Sequence, residues 1–104
     1  MSTVAEIVES MKTRFNAGAA SGLNEVFQFN IEDADSYYLV IKDGAFDIIT
    51  GVHDDPSVTL IMDSETMVDV MSGKIDGMQA FMMGKLRAEG NMMLATKLSA
   101  LLPN

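Results

Sequence analysis

The apolar positions of this chain change period along its length. Val4, Ile7, Val8, Met11 and Phe15 recur at helical spacing, which predicts an amphipathic helix over residues 3–16. Thr3 and Glu6 form a capping box at its start, each side chain serving an orphan backbone N–H. The small-residue run from Asn16 to Gly22 ends it. Alternation then replaces the helical period. Leu23, Phe27, Phe29 and Ile31 fall on one face of a first strand, with Asn24, Gln28 and Asn30 opposite. A polar turn, Glu32 to Asp35, leads to a second strand, Tyr37 to Lys42. Asp43-Gly44 closes a tight hairpin onto Ala45 to Thr50. After a loop from Gly51 to Pro56, Ser57 to Met62 reads as a fourth strand with Val58, Leu60 and Met62 inward. These four strands outline an antiparallel meander.

The helical period returns in the last third. Asp63 or Ser64 caps a short helix bearing Met67, Val68, Val70 and Met71, stopped at Ser72-Gly73. Asp76 opens another carrying Met78, Phe81, Met82 and Met83. Gly84 to Gly90 alternates, with Leu86 and Ala88 on one side, and reads as one more strand. Asn91 caps a final helix through Leu102, terminated by Pro103. There is no internal repeat, linker or low-complexity tract, so residues 1–104 read as a single domain.

Composition narrows the function. Fifteen acidic against seven basic residues, net charge −8, disfavour nucleic acid as a partner and weigh against docking on anionic membranes. The absence of cysteine excludes thiolate zinc sites and cysteine nucleophiles. No segment reaches the roughly 18 apolar residues of a membrane span, so stable membrane insertion is not expected. The first residues carry no signal core and the last no sorting address, which makes a cytoplasmic protein the expectation.

Catalytic constellations are missing. His53, the single histidine, lies in Val52-His53-Asp54-Asp55-Pro56 and reads as a solvated loop residue. No serine sits in a nucleophile elbow, and Gly73-Lys74 and Gly84-Lys85 lack the hydroxyl that a phosphate loop requires. Read as a calcium loop from Asp33, the chain puts Tyr38 at the glycine position and Gly44 at the bidentate carboxylate position. The expectation is a non-enzyme with no catalytic residues, no metal site and no cofactor.

Methionine changes the picture. Eight of the ten methionines fall between Met62 and Met93, and the final helix is apolar over more than one stripe: Leu94, Leu98, Leu101 and Leu102, widened by Met92, Met93 and Ala95. Such residues fill irregular cores, yet three short helices with wide methionine faces on one sheet also suit an adaptable apolar space. A ligand cavity of about 300 Å³, left empty and rigid, would cost about 7 kcal/mol. Total stability is only about 5–15 kcal/mol. Flexible methionines let such a space collapse or keep a guest.

The residues from Met62 to Asn91 carry a likeness. An acidic cap and short helix, Gly73-Lys74, Ala80-Phe81, Gly84-Lys85-Leu86 and Gly90-Asn91 before an amphipathic helix stand in the order found in the sterol carrier protein (type two) domain, which this stretch closely resembles. The helix and strands before it, with Asp43-Gly44 and Asp55-Pro56, are similar too. The resemblance implies an α/β (α+β) fold: a five-stranded mixed sheet with helices covering one face and a hydrophobic tunnel between them. It implies non-enzymatic binding or transfer of a hydrophobic lipid: a fatty acid, fatty acyl-CoA, sterol or phospholipid. Carried onto matching positions, the ligand-binding residues are Met67, Val70, Met71, Phe81, Met82, Leu94, Leu98 and Leu102, with Leu60 and Phe46 as floor. Asp76-Gly77 stands where the family often has Asp-Pro, and Glu89 makes the following strand less basic than in relatives. A second reading is a protein-interaction module, or an accessory domain for a partner enzyme, using a methionine-rich apolar groove.

Overall fold

The computed structural model describes residues 4–101, and the side chains of all of these but 99 and 100. Helix α1, Val4–Arg14, buries Ile7, Val8 and Met11, the stripe its spacing predicts. Thr3 of the capping box lies outside the described residues. Strands β1 (Asn24–Ile31), β2 (Tyr37–Lys42), β3 (Ala45–Thr50) and β4 (Val58–Met62) follow, then α2 (Ser64–Met71), α3 (Gly77–Met82), β5 (Arg87–Gly90) and α4 (Met92–Leu101).

The sheet runs β3-β2-β1-β4-β5. On its covered face Phe27 pairs with Leu39 on one side and Val58 on the other, and Phe29 pairs with Leu60. These five side chains are buried, as are Ile31, Ile41 and Met62 on the same face. At the β2–β3 hairpin Asp43 (φ 46) and Gly44 (φ 87) both take the left-handed conformation. Two such residues in succession give the turn that follows the strand twist.

One expectation needs correction. The first three strands form a meander, but β4 pairs parallel to β1, not antiparallel to β3. The chain must therefore leave β3, pass two strands and re-enter in β3's own direction. It does so with the short segment 51–57, which crosses the sheet face opposite the helices. Gln28, on that face, holds the crossing segment: its amide NH₂ donates to Gly51 O (3.1 Å) and Tyr37 O (3.2 Å), and its Oε1 accepts from His53 N–H (2.9 Å). Gln28 is consequently almost wholly buried. Alternation identifies strands but contains nothing about which strands pair.

His53 likewise has a structural setting and not a solvated one. It is half-buried, its Nδ1 accepts from Asp55 N–H (3.0 Å), and its ring meets Tyr38 edge-on with centroids 5.2 Å apart.

The last third is positioned by caps. Asp63 Oδ1 accepts from Thr66 N–H (2.8 Å) at the start of α2. Arg14 donates to the Met71 carbonyl at the other end, tying α1 to α2. After α3 the chain folds back, with Lys85 N–H and Leu86 N–H both donating to Ala80 O. The fifth strand begins only afterwards, at Arg87, and not at Gly84 as alternation predicts. Gly90 (φ 96) brings the chain so close to β4 that a Cβ there would lie 2.8 Å from the Ser57 carbonyl oxygen. Among the described residues no helix is long and apolar enough to cross a membrane.

Candidate functional site

Three of the residues lining the space beneath the last helices are too small to fill it. Gly77 opens α3, Ala88 sits on β5, and Ala95 sits on α4, each facing the same interior. Where bulkier residues would have closed the layer, an apolar cavity of about 340 Å³ remains. Leu60 and Ala88, register partners on β4 and β5, form its floor. Val70, Met71 and Ile75 supply the wall on the α2 side. Met78 and Phe81 of α3 and Met92 of α4 stand at its rim, and Leu86 and Leu98 complete the lining.

Two polar side chains face this space, and both are hydrogen-bonded locally. Asp76 accepts from Met78 N–H (3.4 Å) as the cap of α3, and Thr96 Oγ1 donates to Met93 O (2.7 Å) within α4. The remaining wall is hydrocarbon and thioether. Met78, Phe81 and Met92 are 56%, 43% and 46% exposed, so the cavity opens to solvent between α3 and α4. Water can enter, and the cost of a sealed void does not arise.

The structure divides the residues singled out from the sequence. Val70, Met71, Phe81 and Leu98 line the cavity, as does Leu60. Met67 and Leu94 are buried in the main core instead. Met82 projects into solvent, 78% exposed. Phe46 stacks on Phe15, with ring centroids 4.2 Å apart, away from the cavity. Leu102 lies outside the described residues. The helical period alone does not place Met82, because α3 has only six residues and its phase is set by tertiary contact. Ile75, Met78, Leu86, Ala88, Met92 and Ala95 were missed. A signal for part of them was present: small residues at otherwise apolar inward positions.

A larger depression, about 770 Å³, lies between α1, the turn after β1 and α2. Asp35, Glu65, Asp69 and Lys74 line it beside Val4 and Val68, which makes it a poor host for an apolar guest. The neighbouring acids are engaged. Glu32 pairs with Arg87 (3.3 Å), and Asp33 accepts from both the N–H and the hydroxyl of Ser64.

Comparison with known proteins bears on this arrangement. The profile of the SCP-2 sterol transfer family matches residues 6–103. The chain belongs to the SCP-2 sterol transfer family. Among its relatives is peroxisomal multifunctional enzyme A of Dictyostelium discoideum, 38% identical over 84 residues. That match covers 77% of this chain and 19% of the relative, so the chain spans about a fifth of that protein's length. Two solved SCP-2 structures are of chains closer in size. The crystal structure of sterol carrier protein 2 like 2 from Aedes aegypti is 29% identical, with TM-score 0.74, and the match covers 95% of each chain. The solution structure of palmitated SCP2L2 from the same organism is 28% identical, with TM-score 0.77, over 99% of this chain and 96% of that one. The mixed five-stranded sheet with helices is the α+β fold of these SCP-2 structures.

Proposed function

We propose that this chain is a non-enzymatic lipid-binding domain that takes up a single acyl chain in the cavity between β4, β5 and the last three helices. The observation that carries the reading is the apolar cavity of about 340 Å³ with an open mouth. That volume sits at the lower end of ligand sites, which run from about 300 to 1,000 Å³. At about 30 Å³ per water, it equals the space of about eleven waters. A run of about ten buried methylenes would contribute about 8 kcal/mol, which corresponds to a micromolar limit before ordering costs are subtracted. The walls suit a flexible guest: Met71, Met78 and Met92 repack at little cost, whereas a fused ring needs a fixed shape. Membership of the SCP-2 sterol transfer family and the likeness to a palmitated relative support the same reading. Val70, Met71, Phe81 and Leu98 are the residues proposed to hold the chain.

Native mass spectrometry of protein purified gently from its host, followed by displacement of a fluorescent fatty acid by palmitate, tests the proposal. A one-to-one adduct and displacement no tighter than micromolar are expected. Absence of binding by fatty acid, acyl-CoA and sterol alike would overturn it. A second reading is favoured by one observation: the Dictyostelium relative is a multifunctional enzyme of which this chain matches only 19%. On that reading the domain presents a lipid to an enzyme, and a stable co-purifying enzyme is the expected sign.

A further inference from the structure

The chain contains ten methionines and neither cysteine nor tryptophan, so thioethers are the groups that an oxidant meets first. Their exposure divides sharply. Met11, Met62, Met67 and Met71 are buried, whereas Met78, Met82, Met83, Met92 and Met93 are between 46% and 78% exposed. The exposed five belong to α3, its C-cap or the first turn of α4. Of these, Met78 on α3 and Met92 on α4 also line the cavity. Each therefore has one part in solvent, where a small oxidant reaches it, and another part against the space a guest would fill. Met71 shares the lining but is shielded by burial. Met82, Met83 and Met93 are open to solvent and stand outside the lining.

We propose that Met78 and Met92 are oxidation sites through which hydrogen peroxide turns guest binding off. The proposal rests on the acyl-chain reading above and assigns a regulation to that same cavity. A sulfur lone pair attacks one peroxide oxygen, the O–O bond breaks and an S–O bond forms. The thioether is oxidised to the sulfoxide, and the peroxide is reduced to water. A flexible apolar side chain thereby becomes a polar one. The lining offers the new oxygen no ready donor: Asp76 is itself an acceptor, and the Thr96 hydroxyl donates to Met93 O. Turned inward, the sulfoxide would lose its water to the guest with nothing to replace it. Turned outward, it keeps its water but withdraws the side chain from the guest. Both arrangements weaken the bound state and leave the empty one unharmed, so the change falls on affinity and not on the fold.

Treatment of the folded chain with hydrogen peroxide, followed by peptide mass mapping and fluorescent fatty-acid binding, tests the proposal. Met78, Met82, Met83, Met92 and Met93 should become sulfoxides, while Met11, Met62, Met67 and Met71 stay unmodified. Fatty-acid affinity should fall about tenfold. The fall should be as large in M82L/M83L/M93L, which keeps Met78 and Met92 as the exposed methionines among the described residues. M78L/M92L conserves side-chain volume and should keep its affinity through the same treatment. Palmitate bound beforehand should slow oxidation of Met78 and Met92 and leave that of Met82 and Met93 unchanged. Methionine sulfoxide reductases for both sulfoxide epimers, with dithiothreitol as reductant, should restore binding. Full affinity in a chain carrying both the Met78 and Met92 sulfoxides would overturn the proposal. So would an equal loss in M78L/M92L, because the damage would then lie elsewhere. Loss of the cooperative thermal melt in oxidised M82L/M83L/M93L would overturn it too, because the sulfoxides would then act through the fold. Failure of the untreated wild-type chain to bind fatty acid would instead overturn the acyl-chain reading and, with it, the switch.

Discussion

Asp33, in the turn after β1, accepts two hydrogen bonds from Ser64, the first residue of α2: one from the backbone N–H (2.7 Å) and one from the hydroxyl (2.8 Å). One residue before Ser64, Asp63 caps the same helix through Thr66 N–H. Two carboxylates thus meet the start of one helix, where the peptide dipole also favours negative charge. Both are held below the usual carboxylate range, Asp33 by its bonds to Ser64 and Asp63 by its bonds to Thr66.

That arrangement sets an acid sensitivity. A group whose folded pKa lies below its unfolded value stabilises the fold fully above the unfolded value, about 4, and loses that contribution as pH falls through the lower folded value. Thermal melts should therefore show a constant contribution from pH 7 down to about 5 and a decline below about 4. The double variant D33N/D63N should be less stable at neutral pH and should lose less on acidification. An acid profile identical to wild type would show that these caps do not carry the dependence.

Phe81 and Leu98 test the cavity itself. Phe81 is partly exposed, so F81E should fold, while its carboxylate enters an apolar space and should weaken fatty-acid binding at least about tenfold. L98E places a charge at the opposite wall and should do the same. Undiminished displacement in either folded variant would move the guest elsewhere.

Gln28 tests the crossing segment. Replacing it by leucine leaves Gly51 O and His53 N–H without their partner beneath the crossing segment. A loss of about 2–3 kcal/mol is expected. At about 4–8 °C per kcal/mol, this lowers the melting temperature by more than about 8 °C. Lipid affinity of the folded fraction should be unchanged, since the cavity lies across the sheet.

Gly90 and Gly22 separate conformational strain from close approach. Both have positive φ, 96° and 75°, but a Cβ at Gly22 would meet nothing within 4 Å, whereas at Gly90 it would meet the Ser57 carbonyl at 2.8 Å. G22A should cost about 1 kcal/mol. G90A should cost about 3 kcal/mol, because the β4–β5 register must also shift. Chemical denaturation of the two variants distinguishes the terms, and equal losses would show that β5 yields freely.

The sequence signals differ in what they encode. Periodicity in α1 and alternation in β1 report which side chains turn inward, and Ile7, Met11, Phe27 and Phe29 are buried as those patterns indicate. The Asp43-Gly44 turn and the Asp63 cap were legible because their chemistry is local. The parallel pairing of β1 with β4 was not, since it depends on a crossing whose key residue, Gln28, looks like any polar residue on an open face. The site was half legible for the same reason. Val70, Met71, Phe81 and Leu98 follow from apolar faces, but a cavity is made by what is missing. Gly77, Ala88 and Ala95 announce it only once three elements are brought together. The short α3 has too few turns for its period to separate Phe81 from Met82.

The floor residues Leu60 and Ala88 lie on the β4–β5 edge of the sheet, while Phe27, Leu39 and Ile41 pack with α1 toward its centre and other side. The cavity therefore borders one edge of the sheet, with the six-residue α3 at its open mouth. On the acyl-chain proposal, a guest passes through that mouth without any break in the β1–β2 ladder at the centre of the sheet. Guest exchange and global unfolding would then be separate events.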